Sequence, residues 1–227
     1  MPAVLAVVLA LVSWQVAVDG PLLALDTGTR NTVRELHHVL HSTLLNHLGA
    51  FLSDLGGGIP AVPVLLLAAG LAARRERESG ADRWWLPLPT AAVAALLIPL
   101  LVVPAKAWFA RPGPYGTPLG PDQWGWYPSG HTATSSIAYG TAALLLGGTL
   151  AAAGRARLYG ATWLLCASVG LGLVWSDYHW LLDVVASWCL AGLLLWTLER
   201  WLRRGRAREA DRADGADRSA PAPDGRD

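Results

Sequence analysis

The sequence predicts an all-α protein, a polytopic membrane helix bundle of about six transmembrane helices. Two observations predict this fold. Of the 227 residues, 53% are hydrophobic, and the mean hydropathy of +0.35 is too apolar for an ordinary soluble domain. The apolar residues also come in uncharged blocks of roughly 17–22 residues, the length at which a helix crosses the hydrocarbon core of a bilayer.

Six apolar blocks predict the helices in order. They cover residues 2–18, 57–73, 86–104, 132–153, 158–176 and 181–199. The first block has an alternative interpretation as a signal peptide. It lacks a basic amino-terminal region and a clear small-residue cleavage site, so we favour a retained span. Cys166 and Cys189 lie inside apolar blocks, where we expect two small buried residues and no disulfide framework.

The arginines predict the orientation of the bundle. They follow spans two, four and six, so with six spans they share one side, which the positive-inside rule makes cytoplasmic. These residues are Arg74, Arg75, Arg77, Arg83, Arg155, Arg157, Arg200, Arg203, Arg204 and Arg206. Both termini are then cytoplasmic, and segments 19–56, 105–131 and 177–180 face outward from the cell membrane. The net charge of +1 gives no case for a nucleic-acid partner.

The chain divides into one membrane domain, residues 1–202, and a tail. The tail, residues 203–227, is rich in Arg, Asp, Gly, Ala and Pro and has little to bury, so we expect a disordered cytoplasmic segment. In the outer segment 19–56, apolar residues recur every three or four positions and predict an amphipathic helix at the membrane interface or over the spans. They are Val33, Leu36, Leu40, Leu44, Leu48, Phe51 and Leu55.

The same outer segment contains four histidines, His37, His38, His41 and His47. His37 and His41 are one helical turn apart, a spacing that suits a metal ion. Because no third ligand accompanies them, we favour solvent-facing histidines and predict no metal site.

Polar residues gather in the second outer segment, just before span four. Ser129 and Gly130 precede His131, which opens the predicted helix. A helix amino terminus presents free N–H groups and the positive end of the dipole, so it favours an anion. Lys106 and Arg111, near the end of span three, add positive charge. Together these residues predict a phosphate site, although singly Ser129 fits a helix cap and the two cations fit snorkelling side chains.

The third outer segment leads into His179 and Asp183, four residues apart at the start of span six. On a helix they share one face, so the aspartate can accept the Nδ1–H bond and leave Nε2 free as a nucleophile or base. The alternative is a mere interfacial pair. With His131 as a proton donor, the set has the parts that phosphoryl transfer through a phosphohistidine requires, and it needs no metal cluster.

These residues resemble the motifs of the type-2 phosphatidic acid phosphatase superfamily, the membrane lipid phosphate phosphatases. That family has three motifs: Lys-x6-Arg-Pro, Pro-Ser-Gly-His and Ser-Arg-x5-His-x3-Asp. The second motif is intact at residues 128–131, and the His-x3-Asp part of the third is intact as His179 and Asp183. The motif region covers residues 105–183, and the six-span pattern extends the resemblance to nearly the whole chain.

The resemblance implies an integral membrane phosphatase, without cofactor or metal, whose substrate enters from the outer leaflet. It implies that His179 attacks phosphorus, that Asp183 orients it, and that His131 protonates the leaving lipid oxygen. The implied phosphate-binding groups are Lys106, Arg111, Ser129 and the N–H of Gly130. The implied partners are the bilayer and a lipid phosphate or polyprenyl diphosphate. Phosphatidic acid, phosphatidylglycerol phosphate and prenyl phosphates stay open, and the sequence predicts no oligomeric state.

Four tryptophans surround the motif segments, and we expect them to be membrane-interface residues. They are Trp108, Trp124, Trp126 and Trp180.

Three positions depart from the family pattern: two arginine positions, and the serine position of the third motif, which holds Gly172. Counted from Lys106, the first-motif arginine position holds Gly113, and Arg111 comes two residues earlier; the third-motif arginine position holds Leu173. Each lost charge-assisted hydrogen bond, worth roughly 1.5–3 kcal/mol, weakens transition-state binding about tenfold or more. Because the nucleophile, its orienting acid and the proton donor remain, we expect activity. The alternatives are a degenerate member that binds phospholipid or a protein partner without turnover, and a small transporter or scaffold.

Overall fold

The computed structural model describes residues 1–116, 119–120 and 123–218, with side chains as far as residue 205. All regular structure in these ranges is helical, which confirms the predicted all-α class. A short 3-10 turn, Pro21–Leu23, joins the first two helices. In chain order the helices are α1 (Pro2–Ala17), α2 (Ala24–Leu40), α3 (Thr43–Asp54), α4 (Gly58–Glu78), α5 (Pro87–Phe109), α6 (Gly130–Gly147), α7 (Ala152–Trp175) and α8 (Leu181–Arg218).

Four of these helices are long and apolar enough to cross a membrane: α4, α5, α7 and the part of α8 up to Gly205. The 16-residue helix α1 contributes a fifth candidate only together with the segment Pro21–Leu40, from which it is bent by 93°. The described residues therefore form a membrane protein with four or five candidate spans. The count of six stays a prediction.

The predicted fourth span corresponds to α6, which is too polar to be counted among those candidates. α6 packs against α4, α5, α7 and α8, and most of its serine, threonine and glycine residues are buried. A helix enclosed by other helices needs no apolar surface towards lipid. Small residues let its neighbours approach closely, as at Gly140, where a Cβ would lie 2.5 Å from Leu195 Cδ1. The sequence of α6 is therefore that of a central helix.

The first outer segment folds as two helices, α2 and α3, where the sequence predicts one. The break lies at His41, which has a left-handed φ of 43°, and α3 begins after Ser42, whose Oγ accepts the N–H of Leu45 at 3.3 Å. Five of the seven apolar side chains of the predicted face are exposed: Leu36, Leu40, Leu44, Leu48 and Phe51. An apolar surface of this kind fits the predicted position at the membrane interface.

The histidines of this segment divide into two groups. Those that are exposed, as predicted, are His38, His41 and His47. His37 instead packs its ring against Trp175 of α7, with centroids 4.3 Å apart. Nearby, α3 lies against α7 so closely that a Cβ on Gly172 would be 2.9 Å from the carbonyl oxygen of Gly49. The pair α2 and α3 thus covers one end of α7.

The opposite end of the bundle carries the predicted arginine groups. Arg75 Nη1 donates to Thr149 Oγ1 at 3.3 Å, which joins the end of α4 to the end of α6. On α8, Arg203 pairs with Glu199 at 2.6 Å, an i,i+4 contact that supports a solvated helix. α8 continues to Arg218, so residues 203–218 are helical where the sequence predicts a disordered tail. Residues 219–227 lie outside the described ranges. Both cysteines are buried, as predicted.

Candidate active site

His179 and Asp183 meet at the start of α8. His179 Nδ1 lies 3.1 Å from Asp183 Oδ2, and the two side chains are 5% and 0% exposed. The contact occupies Nδ1 and leaves Nε2 free. When Nδ1–H donates to the carboxylate, the lone pair of the neutral ring is on Nε2. The geometry matches the pairing expected from the four-residue spacing.

A tight turn between α7 and α8 positions His179. The backbone reverses at Asp177, which has a left-handed φ of 58°. The N–H groups of Tyr178 and His179 donate to the carbonyl oxygen of Leu173 at 2.9 and 3.3 Å. Arg30 of α2 holds the Asp177 carboxylate at 2.8 Å. The turn is therefore fixed both by its own backbone and by α2.

The surroundings keep the His179 ring neutral. Burial lowers its pKa below the ordinary value of 6.5. The hydrogen bond and charge of Asp183 raise the pKa, and the charges of Lys106 and Arg111 lower it. Because burial is the largest of these effects, the imidazole is uncharged at neutral pH. A neutral ring with a free Nε2 is in the protonation state that a nucleophile needs.

The Pro-Ser-Gly-His segment is tied directly to the first turns of α8. The N–H of Ser129 donates to the carbonyl oxygen of Asp183 at 3.2 Å, and Ser187 Oγ lies 2.9 Å from the carbonyl oxygen of Ser129. Ser129 also caps α6, since its Oγ accepts the N–H of Thr132 at 3.3 Å. These contacts bring the amino termini of α6 and α8 together, and with them His131 and His179.

Both histidines line one cavity of about 650 Å³. The lining residues are Gly56, Gly57, Gly58, Lys106, Leu119, Gln123, Trp124, Gly125, Trp126, Gly130, His131, Thr134 and His179. The segment at the amino terminus of α4 contributes the three consecutive glycines, which the sequence analysis does not single out. A Cβ on Gly56 would lie 2.8 Å from His131 Cβ, so only glycine lets the chain approach that histidine. The run Gly-Gly-Gly is the sequence signal that could have drawn attention to this position.

Lys106 reaches the cavity from the end of α5. Its Nζ donates to the carbonyl oxygens of Gly125 and Trp126 at 3.0 and 3.2 Å. A Cβ on Gly130 would lie 3.6 Å from Lys106 Cε, so the lysine passes close to the start of α6. In the described part of the cavity wall, Lys106 is the one cationic side chain. Lys106 therefore lies at the cavity, and its contact with phosphate stays a prediction.

Arg111 has different partners from those predicted. Its side chain is 8% exposed, with Nη1 2.6 Å from Asp183 Oδ1 and Nη2 2.5 Å from Asp26 Oδ2. Of the four predicted phosphate-binding residues, Arg111 and Ser129 are not among the residues that line the cavity in the described ranges. Arg111 therefore contacts Asp183 on the side away from His179 and does not reach the described cavity wall. Its contact with phosphate stays a prediction.

Asp26 is a buried acid that the sequence analysis does not single out. It is 2% exposed, and besides Arg111 it binds the N–H of Leu182 through Oδ1 at 2.8 Å. That N–H belongs to the first turn of α8, so Asp26 satisfies a helix-end donor from another helix. Asp26 and Arg30 lie one turn apart on α2, and both hold the segment that carries the candidate nucleophile and its acid.

The two positions at which the family pattern has arginines, Gly113 and Leu173, are closely packed. A Cβ on Gly113 would lie 2.6 Å from Trp126 Cε2, so the tryptophan ring fills the space beside this glycine. The same ring contacts His179 edge-on, with centroids 5.2 Å apart. Leu173 is 1% exposed and belongs to the core. The chain thus has apolar packing at the two positions where the family pattern has arginines.

The four tryptophans that the sequence places at the membrane interface divide into two pairs. Trp108 and Trp124 are 83% and 61% exposed, as interfacial residues are. Trp126 lies against the ring of the candidate nucleophile. Trp180 donates its indole N–H to the carbonyl oxygen of Pro112 at 3.0 Å, which ties the start of α8 to the loop after α5. Trp126 therefore belongs to the site, as does Trp124, which also lines the cavity. Trp180 supports the segment that precedes α8.

Comparison with known proteins agrees with the motifs. A crystal structure of a transmembrane PAP2-type phosphatidylglycerolphosphate phosphatase from Bacillus subtilis is similar in fold, with a TM-score of 0.73 and 18% identity. The match covers 89% of this chain and 96% of that one. No curated protein sequence matches the chain. The family model of the PAP2 superfamily matches residues 87–206, which include both histidines, Asp183 and Lys106. The chain therefore belongs to the PAP2 superfamily.

Proposed function

We propose that this membrane protein hydrolyses a lipid phosphate or a polyprenyl diphosphate through a phosphohistidine on His179. The observation that carries the proposal is the meeting of His179, His131 and Lys106 in one cavity, with Asp183 behind the nucleophile. Membership of the PAP2 superfamily supports phosphatase chemistry. Gly56, Gly57 and Gly58 of the cavity wall come just after α3, whose exposed apolar side chains suit a substrate that arrives from the membrane.

The first step is attack by His179 Nε2 on phosphorus. The N–P bond forms, the bond from phosphorus to the lipid oxygen breaks, and His131 gives its proton to that oxygen. Asp183 stabilises the positive charge that the His179 ring acquires. Lys106 and the N–H groups at the start of α6 and α4 stabilise the phosphoryl oxygens.

The second step releases phosphate. Neutral His131 takes a proton from water, the water oxygen attacks phosphorus, and the N–P bond to His179 breaks. The products are inorganic phosphate and the starting enzyme, with His131 protonated again. Both steps use only water and the side chains and backbone N–H groups of this chain, so we expect activity without a metal or cofactor.

A second candidate is a protein that binds phospholipid without turnover. One observation favours it: Lys106 is the one cation on the described cavity wall, and Arg111 is neutralised by two carboxylates. A site with fewer cations stabilises the transition state less, although it can still hold a single phosphate group.

Phosphate release by the purified protein in detergent separates the two candidates. The panel contains a polyprenyl diphosphate, phosphatidic acid and a soluble phosphomonoester, each assayed with EDTA. His179→Ala and wild type are compared, with His38→Ala, which changes an exposed histidine, as the matched control. We expect release by wild type and His38→Ala but none by His179→Ala. A folded wild type that binds these lipids and releases no phosphate would establish the binding protein instead.

A further inference from the structure

The buried ion cluster behind His179 extends beyond the residues of the family motifs. Asp183 and Asp26 contact the two ends of one guanidinium, that of Arg111, at 2.6 and 2.5 Å. Asp26 and Arg111 are separated by 85 positions in sequence and come from α2 and the loop after α5. His179, Asp183, Arg111 and Asp26 therefore form one continuous chain of polar contacts.

Each oxygen of the two carboxylates has a separate partner. Asp183 accepts from Arg111 through Oδ1 and contacts His179 through Oδ2. Asp26 accepts from Arg111 through Oδ2 and from the N–H of Leu182 through Oδ1. A single buried arginine between two acids is neutralised by both, so neither acid receives its full charge. How much of that charge acts on Asp183 depends on Asp26.

We propose that Asp26 is a positioning residue that acts on the nucleophile His179 through Arg111 and Asp183. Asp26 shares the positive charge of Arg111 and so weakens the attraction between Arg111 and Asp183. The Asp183 carboxylate therefore stays a strong hydrogen-bond acceptor for the His179 ring. Asp26 also holds the first turn of α8 through the N–H of Leu182, the residue directly before Asp183. The inference rests on the proposed function for its catalytic consequence and on geometry alone for its effect on His179.

The charged groups around His179 determine what loss of Asp26 does. Those that face the ring or its partners are Asp26 of α2, Lys106 of α5, Arg111 of the following loop, His131 of α6 and Asp183 of α8. Without the Asp26 charge, Arg111 acts on Asp183 alone, and the protonated His179 ring is less stable. A site that merely loosened would admit water, and the ring would then titrate nearer its ordinary value. The two explanations predict shifts in opposite directions.

The test measures the titration of His179 in the full chain in detergent micelles. The chain has six histidines, and ¹⁵N-labelled imidazole resonances report each one, with His179→Gln to assign the signal. Asp26→Asn is compared with wild type and with Asp19→Asn, which removes an exposed acid. The measurement needs no turnover, so it can be read even where the proposed phosphatase activity fails.

We expect the His179 midpoint to fall by about half a pH unit or more in Asp26→Asn and to stay unchanged in Asp19→Asn. If the protein hydrolyses a lipid phosphate, kcat falls about tenfold and KM stays the same, because Asp26 lies outside the described cavity wall. A midpoint that rises or does not move in folded Asp26→Asn overturns the proposal.

A second variant covers the case in which Asp26→Asn does not fold. Asp26→Asn combined with Arg111→Gln removes both charges of the pair and leaves no unpaired arginine. Asp183 then has no guanidinium beside it, and we expect the His179 midpoint to rise above that of wild type. A midpoint that falls or stays unchanged in this double variant overturns the proposal.

Discussion

Buried charges at the site are each matched by a partner. A buried carboxylate or guanidinium costs several kcal/mol unless it is paired and hydrogen-bonded. Asp183, Arg111 and Asp26 meet that condition through one another. The arrangement explains how Arg111 can lie two residues before the family's arginine position and still serve the site. From there it reaches the acid that orients the nucleophile.

The lowered pKa of His179 predicts an unusual pH dependence. Because the nucleophile must be neutral, activity is lost as pH falls through its pKa, which burial depresses below 6.5. We expect the acid limb of kcat/KM to have its midpoint below 6.5. The charge of Lys106 lowers the pKa of His179. In Lys106→Met we therefore expect the acid limb of kcat/KM to move to higher pH. A wild-type limb at or above 6.5 would contradict the neutral, buried nucleophile.

The packing at Gly113 predicts that the family's arginine cannot simply be restored. A Cβ there would lie 2.6 Å from the Trp126 ring, so Gly113→Ala should destabilise the protein by about 1–3 kcal/mol. Gly113→Arg should destabilise the protein further. Trp126→Phe, combined with either variant, should restore part of the lost stability. The measurement is thermal unfolding in detergent, with Gly120→Ala as the control, since its Cβ would meet Gln123 only at 3.7 Å. Equal stability of the two alanine variants would refute the close contact.

The motif residues could be predicted from sequence, and their supporting residues could not. His179 and Asp183 are four positions apart, so helix geometry alone brings them together. Asp26 meets Arg111 and Leu182 across 85 and 156 positions. Nothing local marks such a contact, because it depends on how whole helices pack. For the same reason the position of Arg111 in sequence suggests a phosphate ligand, whereas its observed partners are two acids.

At the scale of elements, the site depends on the junction of α6 and α8. Ser187 Oγ lies 2.9 Å from the carbonyl oxygen of Ser129 and 2.8 Å from that of Asp183. Its single hydrogen is shared between two backbone segments, one leading to His131 and the other following His179. The two histidines thus belong to different helices but share one rigid connection.

We expect Ser187→Ala to loosen this junction. The loss of a buried hydrogen bond costs about 1–2 kcal/mol of stability, and kcat falls because the two histidines are no longer held in register. The control is Thr141→Val on α6, because the buried Thr141 hydroxyl makes no hydrogen bond in the described part of the chain. Thermal unfolding and phosphate release are measured for both. If the two variants behave alike, the junction does not hold the site.

Some of the helices could be predicted from the hydropathy of the sequence alone, and others could not. Long apolar blocks predict α4, α5, α7 and α8 correctly, because lipid-facing helices must be apolar whatever their neighbours are. The single helix expected over the outer segment is divided at His41, whose left-handed backbone the apolar period does not reveal. α6 is polar because other helices enclose it. Its place in the bundle follows from tertiary packing and not from hydropathy.

At the scale of the molecule, the two ends of the bundle differ in the surroundings of their cationic side chains. At the end that carries the site, Arg30 and Arg111 are paired with acids of the same region. At the other end, arginines occupy the last turns of α4, the first turn of α7 and the end of α8, and Arg74, Arg75 and Arg203 lie on solvated surfaces. Lys and Arg in short segments next to spans resist translocation, so the second end is the one expected in the cytoplasm.

This asymmetry predicts that the cavity opens on the extracytoplasmic side. A reporter fused after residue 206 should show a cytoplasmic location. In intact cells, a cysteine introduced by Trp108→Cys, at an 83% exposed position, should react with a membrane-impermeant maleimide. Arg155→Cys is the matched control at the opposite end and should react only after the membrane is permeabilised. The native cysteines are buried and give little background. Labelling of residue 155 but not of residue 108 in intact cells would reverse the orientation, and the substrate would then have to come from the inner leaflet.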